Sequence, residues 1–336
     1  MPARKLIGFL QDSPLFTFLL AAALLASCRN QPEKVHKIGI ACGFEAFIGI
    51  AEGFKERMAE LGYIEGKNVE YDLQKVNPQR EADEQAVKKF IDDEVDLILT
   101  FTTEASLWTK SLTKGTNLPI VFAMAGIEGN DLVNSVTQPG GNITGVRYPG
   151  PDLIVKRFEL LRELAPNLKR IWTAYDANYP TNKPAIEMLR QAVSATGATL
   201  SEALVTGAQD IQADLQTRAG SDDAGMDAII MMPDAVSQSG EGWEIIKRFA
   251  AAHRIPIAGA GDIEVGASMV LSYTPAPFEI GRQAAGLADK ILKGTPAGTI
   301  MVATPHSRLR LNYKLAQELG LTVSEGLLSR ADEIIR

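Results

Sequence analysis

Short apolar runs alternate with longer amphipathic stretches along most of the chain. The first unit consists of an apolar run over 37–41, a loop over 42–47 and an amphipathic stretch over 48–61 that stops at Gly62. Short apolar runs bounded by turn residues predict strands, and apolar positions repeated every three or four residues predict helices. Strands that alternate with helices are typical of βαβ units and parallel sheets. The pattern therefore predicts an α/β protein.

The same alternation continues through two similar halves of the chain, which predicts two lobes. A Pro-Gly-Gly-Asn turn over 139–142 precedes the last strand of the first half, and no short-period repeat is visible. The further predicted strands cover 69–73, 96–100, 119–123, 143–148, 170–175, 199–205, 228–232, 256–259 and 268–273. The further predicted helices cover 81–92, a stretch from about 104, 153–164, 183–196, 211–218, 241–253 and 278–292.

The first 28 residues have the pattern of an export signal. Arg4 and Lys5 precede a run over 15–26 that is apolar apart from Thr17, and small residues then lead to Cys28. This is the arrangement of a bacterial lipoprotein cleavage site, after which Cys28 would be the lipidated first residue. The alternative is a membrane-spanning helix, but that needs about 20 apolar residues. We therefore predict a signal peptide over 1–28 and an exported protein, lipid-anchored to the cell envelope.

Composition narrows the class of protein further. The net charge of −7 comes from scattered charges of both signs without a basic run, so the sequence lacks the basic patch that is typical of a nucleic-acid binder. The hydrophobic content of 46% is enough to build two buried cores. Because Cys28 is assigned to the anchor, no structural disulfide is predicted, and Cys42 is expected to be a small buried residue at the end of a strand. We expect a monomer.

Candidate ligand-binding residues follow the predicted strands, because ligands of open α/β sheets bind at the carboxyl ends of the strands. Phe44 stands on a loop tip after the first strand and has little else to cover, whereas Phe47 is expected to close the core. Thr102 and Thr103 offer hydroxyls beside the N–H groups of a helix start, which suits an anionic group. Plain helix capping explains one of them equally well. Glu104, in the first turn, suits an amino group instead.

The second half supplies a matching set of candidates. Tyr175, Asn178 and Asn182 lie at the end of one predicted strand and in the loop after it. Asp234 and Asp262 each follow a later strand. This mixture of aromatic and hydrogen-bonding residues suits a small polar ligand with an apolar body, and the alternative is an ordinary turn rich in asparagine and proline.

Signals for catalysis are weak. His36, His253 and His306 lie far apart and show neither a nucleophile partner nor metal-ligand spacing. Gly259-Ala260-Gly261 lacks the third glycine of a dinucleotide loop, and no P-loop lysine motif is present. We predict no enzyme activity, no catalytic residue, no metal and no cofactor.

Several segments, taken in order, resemble a known family over nearly all of the region after Cys28. They are ELGYIEGKNV at 60–69, LPIVF at 118–122, PGGNITG at 139–145, KRFELL at 156–161, SY at 272–273, GRQAA at 281–285 and LLSRADE at 327–333. The chain resembles the ABC-transporter substrate-binding lipoproteins that include tryptophan- and tyrosine-binding members. This resemblance implies the type I periplasmic-binding fold, in which two Rossmann-like lobes with parallel sheets are joined by three crossings.

The resemblance also implies a division of the chain and a function. Lobe 1 would comprise 36–147 and 275–300, lobe 2 would comprise 148–274 and 301–336, and the crossings would fall near Tyr148, Thr274 and Met301. The expected function is capture of a small, amino-acid-like solute in the cleft and its delivery to an ABC permease in the membrane. The alternative is a sensory or regulatory lipoprotein of the same fold that feeds a membrane sensor.

The resemblance has local departures at the expected ligand site. Relatives often have Thr-Pro-Ala where this chain has Thr-Glu-Ala at 103–105, and many have Ser-Tyr-Gly-Pro where it has Ser-Tyr-Thr-Pro at 272–275. These departures leave room for a solute other than an aromatic amino acid.

Overall fold

The computed structural model describes residues 34–42, 47–75, 80–220, 223–261 and 268–336. The predicted signal peptide with Cys28, and the candidates Phe44 and Asp262, lie outside these ranges. Within them, no helix is both long enough and apolar enough to span a membrane.

The first sheet has five parallel strands in the order β2-β1-β3-β4-β5. Its third strand along the chain, β3, is buried at every position, as a strand covered on both faces by helices must be. The elements are β1 (His36–Cys42), α1 (Gly49–Glu60), β2 (Val69–Lys75), α2 (Arg80–Asp92), β3 (Leu97–Phe101), α3 (Thr103–Leu112), β4 (Ile120–Ala125) and β5 (Ile143–Arg147).

The second sheet has seven strands in the order β12-β11-β10-β9-β8-β6-β7. Its elements up to the third-last strand are α4 (Gly150–Leu164), β6 (Arg170–Tyr175), α5 (Asn182–Ser194), β7 (Thr199–Leu204), α6 (Ala208–Ala219), β8 (Ala228–Ile230), α7 (Gly240–His253), β9 (Ile257–Gly259) and β10 (Leu271–Pro275). The chain then returns to the first lobe through α8 (Pro277–Leu292) and a 3-10 turn (Ala297–Thr299). It ends in the second lobe with β11 (Ser307–Asn312), α9 (Tyr313–Glu318), α10 (Glu325–Arg330) and β12 (Glu333–Ile335).

Helix α8 completes the core of the first lobe by packing on α1. A Cβ atom on Gly53 would lie 2.0 Å from the carbonyl oxygen of Phe278, and one on Gly281 would lie 2.0 Å from that of Ile50. Glycine at both positions therefore lets the two helix backbones approach closely. The buried face of α8, including Ile280, joins the same apolar cluster as the strands of the first sheet.

Two strands near the carboxyl terminus, β11 and β12, were not predicted. β11 pairs antiparallel with β10, and β12 pairs parallel with β11. In β11 the exposed or half-exposed residues Arg308 and Arg310 alternate with buried ones, which is the pattern of a strand with one solvent-exposed face. A search for continuous apolar runs does not detect such a strand. The α/β architecture with two lobes and mainly parallel sheets is as predicted.

Candidate functional site

A cavity lies between the two lobes, at the carboxyl ends of strands from both sheets. Its empty volume is about 720 Å³, which includes space open to solvent. This is the location where open α/β sheets bind ligands. The lining residues are Phe47, Thr102, Thr103, Glu104 and Met124 from the first lobe, Tyr148 from the connection, and Tyr179, Thr181, Pro233, Asp234, Ala235, Gln238 and Ala260 from the second.

Thr102 and Thr103 form the part of the cavity wall where β3 leads into α3. The Thr103 hydroxyl is buried and accepts a hydrogen bond of 3.1 Å from the backbone N–H of Gly126. The Thr102 hydroxyl donates to Oε2 of Glu104 at 3.2 Å and makes no capping bond to the helix. The two hydroxyls therefore shape the wall of the cavity, and neither serves as a cap of α3.

Glu104 connects the two lobes across the cavity. The hydroxyl of Tyr179, in the loop between β6 and α5, donates to Glu104 Oε2 at 3.2 Å. Burial raises the pKa of the Glu104 carboxyl, and the hydrogen bonds from Thr102 and Tyr179 oppose that shift. Burial and the neighbouring Glu104 raise the pKa of Tyr179 well above its ordinary value, so its hydroxyl stays protonated and remains a donor.

Asp234 is a buried carboxylate with five hydrogen-bond donors. Oδ1 accepts from the backbone N–H groups of Val236 and Ser237 at 3.0 and 2.8 Å and from the Ser237 hydroxyl at 2.9 Å. Oδ2 accepts from Asn182 Nδ2 at 3.0 Å and from the N–H of Asp176 at 3.3 Å. Burial raises the pKa of Asp234, and these donors oppose the shift. Asp234 thereby joins the loops after β6 and β8 into one wall.

Met124 reaches the cavity at an irregularity of β4. Its φ angle is +53°, in the left-handed region that side chains rarely adopt, and the pairing of β4 with β5 shifts register between Ala123 and Ala125. A bulge of this kind redirects a side chain at the end of a strand. The sequence carries no signal for it, and Met124 was not predicted as a lining residue.

Three further candidates within the described residues, Tyr175, Asn178 and Asn182, are not among the residues that line the cavity. Tyr175 packs in the core of the second lobe, where its hydroxyl donates to Glu202 at 2.7 Å and accepts from Arg190 at 3.1 Å. Asn178 is exposed, with its N–H bonded to Asp176. Asn182 is fully buried behind Asp234 and positions that carboxylate. Tyr175 points to a sheet face because side chains of a strand alternate between its two faces.

Tyr148, Tyr179 and Gln238 line the cavity but were not predicted to do so. Tyr179 follows Asn178 in a loop that the sequence did single out, so the loop was recognised and the side chain was not. Tyr148 was recognised only as the position of a crossing between the lobes. Among the described residues, no group of three or more histidine, cysteine or acidic side chains could hold a metal ion.

Two α/β lobes with a cavity between them, at the carboxyl ends of their strands, define a receptor for a small molecule. The sequence model of the family described as ABC transporter substrate binding protein matches residues 39–335, and the chain belongs to this family. The protein is thus the solute-binding component of an ABC transporter, acts outside the cytoplasm and is not an enzyme. The predicted family, fold and general function are confirmed.

Individual relatives are similar over most of their length. The tyrosine-binding protein of Clostridioides difficile strain R20291 is 24% identical over 255 residues, covering 75% of this chain and 71% of that protein. A conserved domain protein of Vibrio cholerae has a TM-score of 0.78 and 26% identity, covering 90% of this chain and all of that one. The ABC domain of Streptococcus pneumoniae in complex with L-Trp has a TM-score of 0.77 and 24% identity, with the same coverage.

Proposed function

We propose that this protein captures an amino-acid-like solute in the cleft between its lobes and delivers it to an ABC permease. The observation that carries the proposal is the half-buried Glu104 carboxylate, which reaches both lobes and lies beside an apolar wall. Among the described residues, this carboxylate meets only hydroxyl side-chain donors and no counter-charge, which is costly for a charge removed from water. A ligand ammonium group would supply that counter-charge. Two relatives, a tyrosine-binding protein and a protein in complex with L-Trp, are in keeping with this solute class.

The apolar part of the cavity suits a hydrophobic side chain on the solute. Phe47, Met124, Tyr148, Pro233 and Ala260 contribute rings and aliphatic groups to the wall. Aromatic residues that enclose a ligand bury large apolar area and leave hydroxyls for orientation. Phe44, predicted to cover the same part of the solute, remains a sequence-based candidate, as does Asp262 for a positively charged group.

The observed contacts argue for a different place for the anionic group than the two threonines. The Thr102 hydroxyl donates its proton to Glu104, so an anion placed there would lie beside a carboxylate. The Thr103 hydroxyl accepts from Gly126 and keeps its own proton for donation. We therefore assign Glu104 to the ammonium group of the solute and Thr103 to one neutral hydrogen bond with it. Asp234 and Asn182 are assigned to holding in place the part of the cavity wall that the second lobe provides.

The amino-acid assignment is tested with the purified protein by thermal shift and calorimetric titration against the natural amino acids. A ligand that binds only the folded state stabilises it, by about 2.7 kcal/mol at a hundred times its Kd. At least one amino acid should raise the Tm. Glu104→Gln should then weaken that amino acid by roughly ten- to a hundredfold, as expected for a lost charged hydrogen bond.

Glu187→Gln, the same substitution on the exposed side of α5, is the matched control and should bind like the parent. A protein that no amino acid stabilises would overturn the assignment of the solute class.

We further propose that the protein is tethered by a lipid on Cys28 after removal of the signal peptide, and that it works as a monomer. The proposed lobes are 36–147 with 275–300 and 148–274 with 301–336. Cys28→Ser should move the protein from the membrane to the soluble fraction and leave solute affinity unchanged, because the tether precedes both lobes. Cell fractionation measures this, and a variant that stays in the membrane fraction would contradict the anchor.

A further inference from the structure

A fully buried arginine contacts two of the segments that connect the lobes. Arg157, in the middle of α4, is 0% exposed. Its Nε donates to the carbonyl oxygen of Tyr273 at 3.0 Å, and its Nη2 donates to the hydroxyl of Tyr148 at 2.8 Å. Tyr148 follows β5 of the first lobe, and Tyr273 lies in β10 before the chain returns to that lobe. Arg157 therefore holds two of the segments that connect the lobes.

Arg157 lacks a counter-charge. Among the described residues, none provides a carboxylate within 4.0 Å of its guanidinium, and Nη1 has no hydrogen-bond partner. A guanidinium stays charged in proteins, and a buried charge is costly unless an opposite charge compensates it. A neutral carbonyl and a phenol compensate it only in part.

Tyr148 lies between the Arg157 guanidinium and the cavity. It lines the cavity and is 5% exposed, and its hydroxyl oxygen already accepts from Arg157. The hydroxyl proton is then left to donate to another group. A phenol that accepts a bond from a cation becomes a stronger donor, because hydrogen bonds in a chain polarise one another. The hydroxyl is thus suited to an anionic acceptor in the cavity.

We propose that Tyr148, positioned and polarised by Arg157, is the element of the cleft that selects a carboxylate on the solute. This inference rests on the proposed function for its location but requires only that the solute be an acid. Glu104 lines the cavity from α3, whereas Arg157 lies on α4 behind Tyr148 and is not among the lining residues. An acceptor for an ammonium group and a polarised hydroxyl donor in one cavity suit a zwitterion.

Three variants test this proposal. Tyr148→Phe removes the hydroxyl donor and keeps the ring. Arg157→Met removes the charge at similar side-chain length, and Arg157→Lys keeps the charge without the planar guanidinium group. Tyr63→Phe, which loses a hydroxyl bonded to Asp289 in the first lobe, is the matched control.

Calorimetric titration with L-tryptophan, L-tyrosine, their carboxamides and 3-phenylpropionate measures the preference for acid over amide. The parent should bind acids at least tenfold more tightly than the matching amides. Tyr148→Phe should reduce that ratio about tenfold by weakening the acid alone, Arg157→Lys should reduce it less than Arg157→Met, and Tyr63→Phe should leave it unchanged.

If Arg157→Met fails to fold, Tyr148→Phe decides the question. An unchanged acid-to-amide ratio in a folded Tyr148→Phe protein, or a parent that binds amides as tightly as acids, would overturn the carboxylate site. A parent that binds 3-phenylpropionate as tightly as the amino acids would support the carboxylate site while rejecting the amino-acid proposal. A parent that binds neither 3-phenylpropionate nor any of the natural amino acids would overturn both.

Discussion

Thr103 shows how a single side chain can serve the wall of the cleft and the stability of a lobe together. Its hydroxyl accepts from the buried N–H of Gly126, so removal of the hydroxyl would leave that donor unsatisfied. Thr103→Ala should therefore lower the free energy of unfolding by about 1–3 kcal/mol. Thr103→Ser restores the acceptor and should recover most of the loss. Urea denaturation of both variants measures the difference, and equal destabilisation by alanine and serine would assign the effect to the lost methyl group.

Glu104 should make stability depend on pH in a definite direction. Burial holds its folded pKa above the ordinary 4.5, so the folded state binds this proton more tightly than the unfolded chain does. The resulting stabilisation is complete below that ordinary value and is lost as pH rises through the raised pKa. The parent should therefore lose stability relative to Glu104→Gln as the pH rises above 4.5 and through the raised pKa of Glu104.

The difference between the parent and Glu104→Gln cancels the contributions of the other titrating groups, because these groups are the same in both proteins. Asp96, Asp227 and Glu202, whose hydrogen bonds lower their pKa values, act in the opposite direction and lose stabilisation in acid. Denaturant unfolding at several pH values gives the two curves. Parallel curves for parent and Glu104→Gln would show that Glu104 is ionised equally easily in both states.

At the scale of elements, the contact between α1 and α8 depends on glycine. Gly281→Ala would place a methyl group against the backbone of α1, which must then move. Overpacking of this kind typically costs about 1–3 kcal/mol. Gly286→Ala on the same helix meets no atom within 4 Å and should stabilise the helix by up to about 1 kcal/mol. Thermal unfolding of the pair distinguishes the two effects, and equal changes would show that the helices adjust without cost.

The elements that the sequence predicts well are those with a buried, continuous apolar pattern. β3 and β6 were placed within one residue because their positions in the sheets demand apolar runs. α6 begins at Ala208, three residues before its prediction, where Asp210 accepts from the N–H groups of Thr206 and Gly207. Such a start is stabilised by local hydrogen bonds and leaves little trace in the hydrophobic pattern.

The site could be predicted to the level of loops and not of side chains. Thr102, Thr103, Glu104 and Asp234 line the cavity because they follow strand ends that face the cleft, and their ligand-binding role stays a prediction. Tyr175 stands at a strand end too, but its ring faces the core of its own lobe. The direction of a side chain at the last strand position depends on where the strand stops, and a shift of one residue reverses it.

For the whole molecule, the bond between Tyr179 and Glu104 favours the closed arrangement of the lobes. The lobes also touch where Gly126 faces Thr181, since a Cβ atom on Gly126 would lie 2.2 Å from the Thr181 methyl group. Tyr179→Phe removes the bond while keeping the ring, and it should raise the open population of the solute-free protein by roughly ten- to a hundredfold.

Small-angle scattering should show a larger radius of gyration for solute-free Tyr179→Phe than for the parent, and saturating solute should reduce it again, as in hinge closure. Pro180→Ala, in the same loop but without the hydroxyl, is a suitable control. Identical solute-free profiles for parent and Tyr179→Phe would show that the bond does not determine lobe closure.

The return of α8 to the first lobe has a consequence for biosynthesis. The core of that lobe includes Ile38 and Phe54 near the beginning of the chain and Ile280 and Ala284 near its end. A ribosome makes the amino-terminal part of this core first, yet its last helix emerges only after nearly all of the second lobe. The nascent first lobe cannot complete its packing until then. An exported polypeptide that folds late can pass through a secretion channel for longer. The discontinuous first lobe would therefore help to keep the chain unfolded until it is exported.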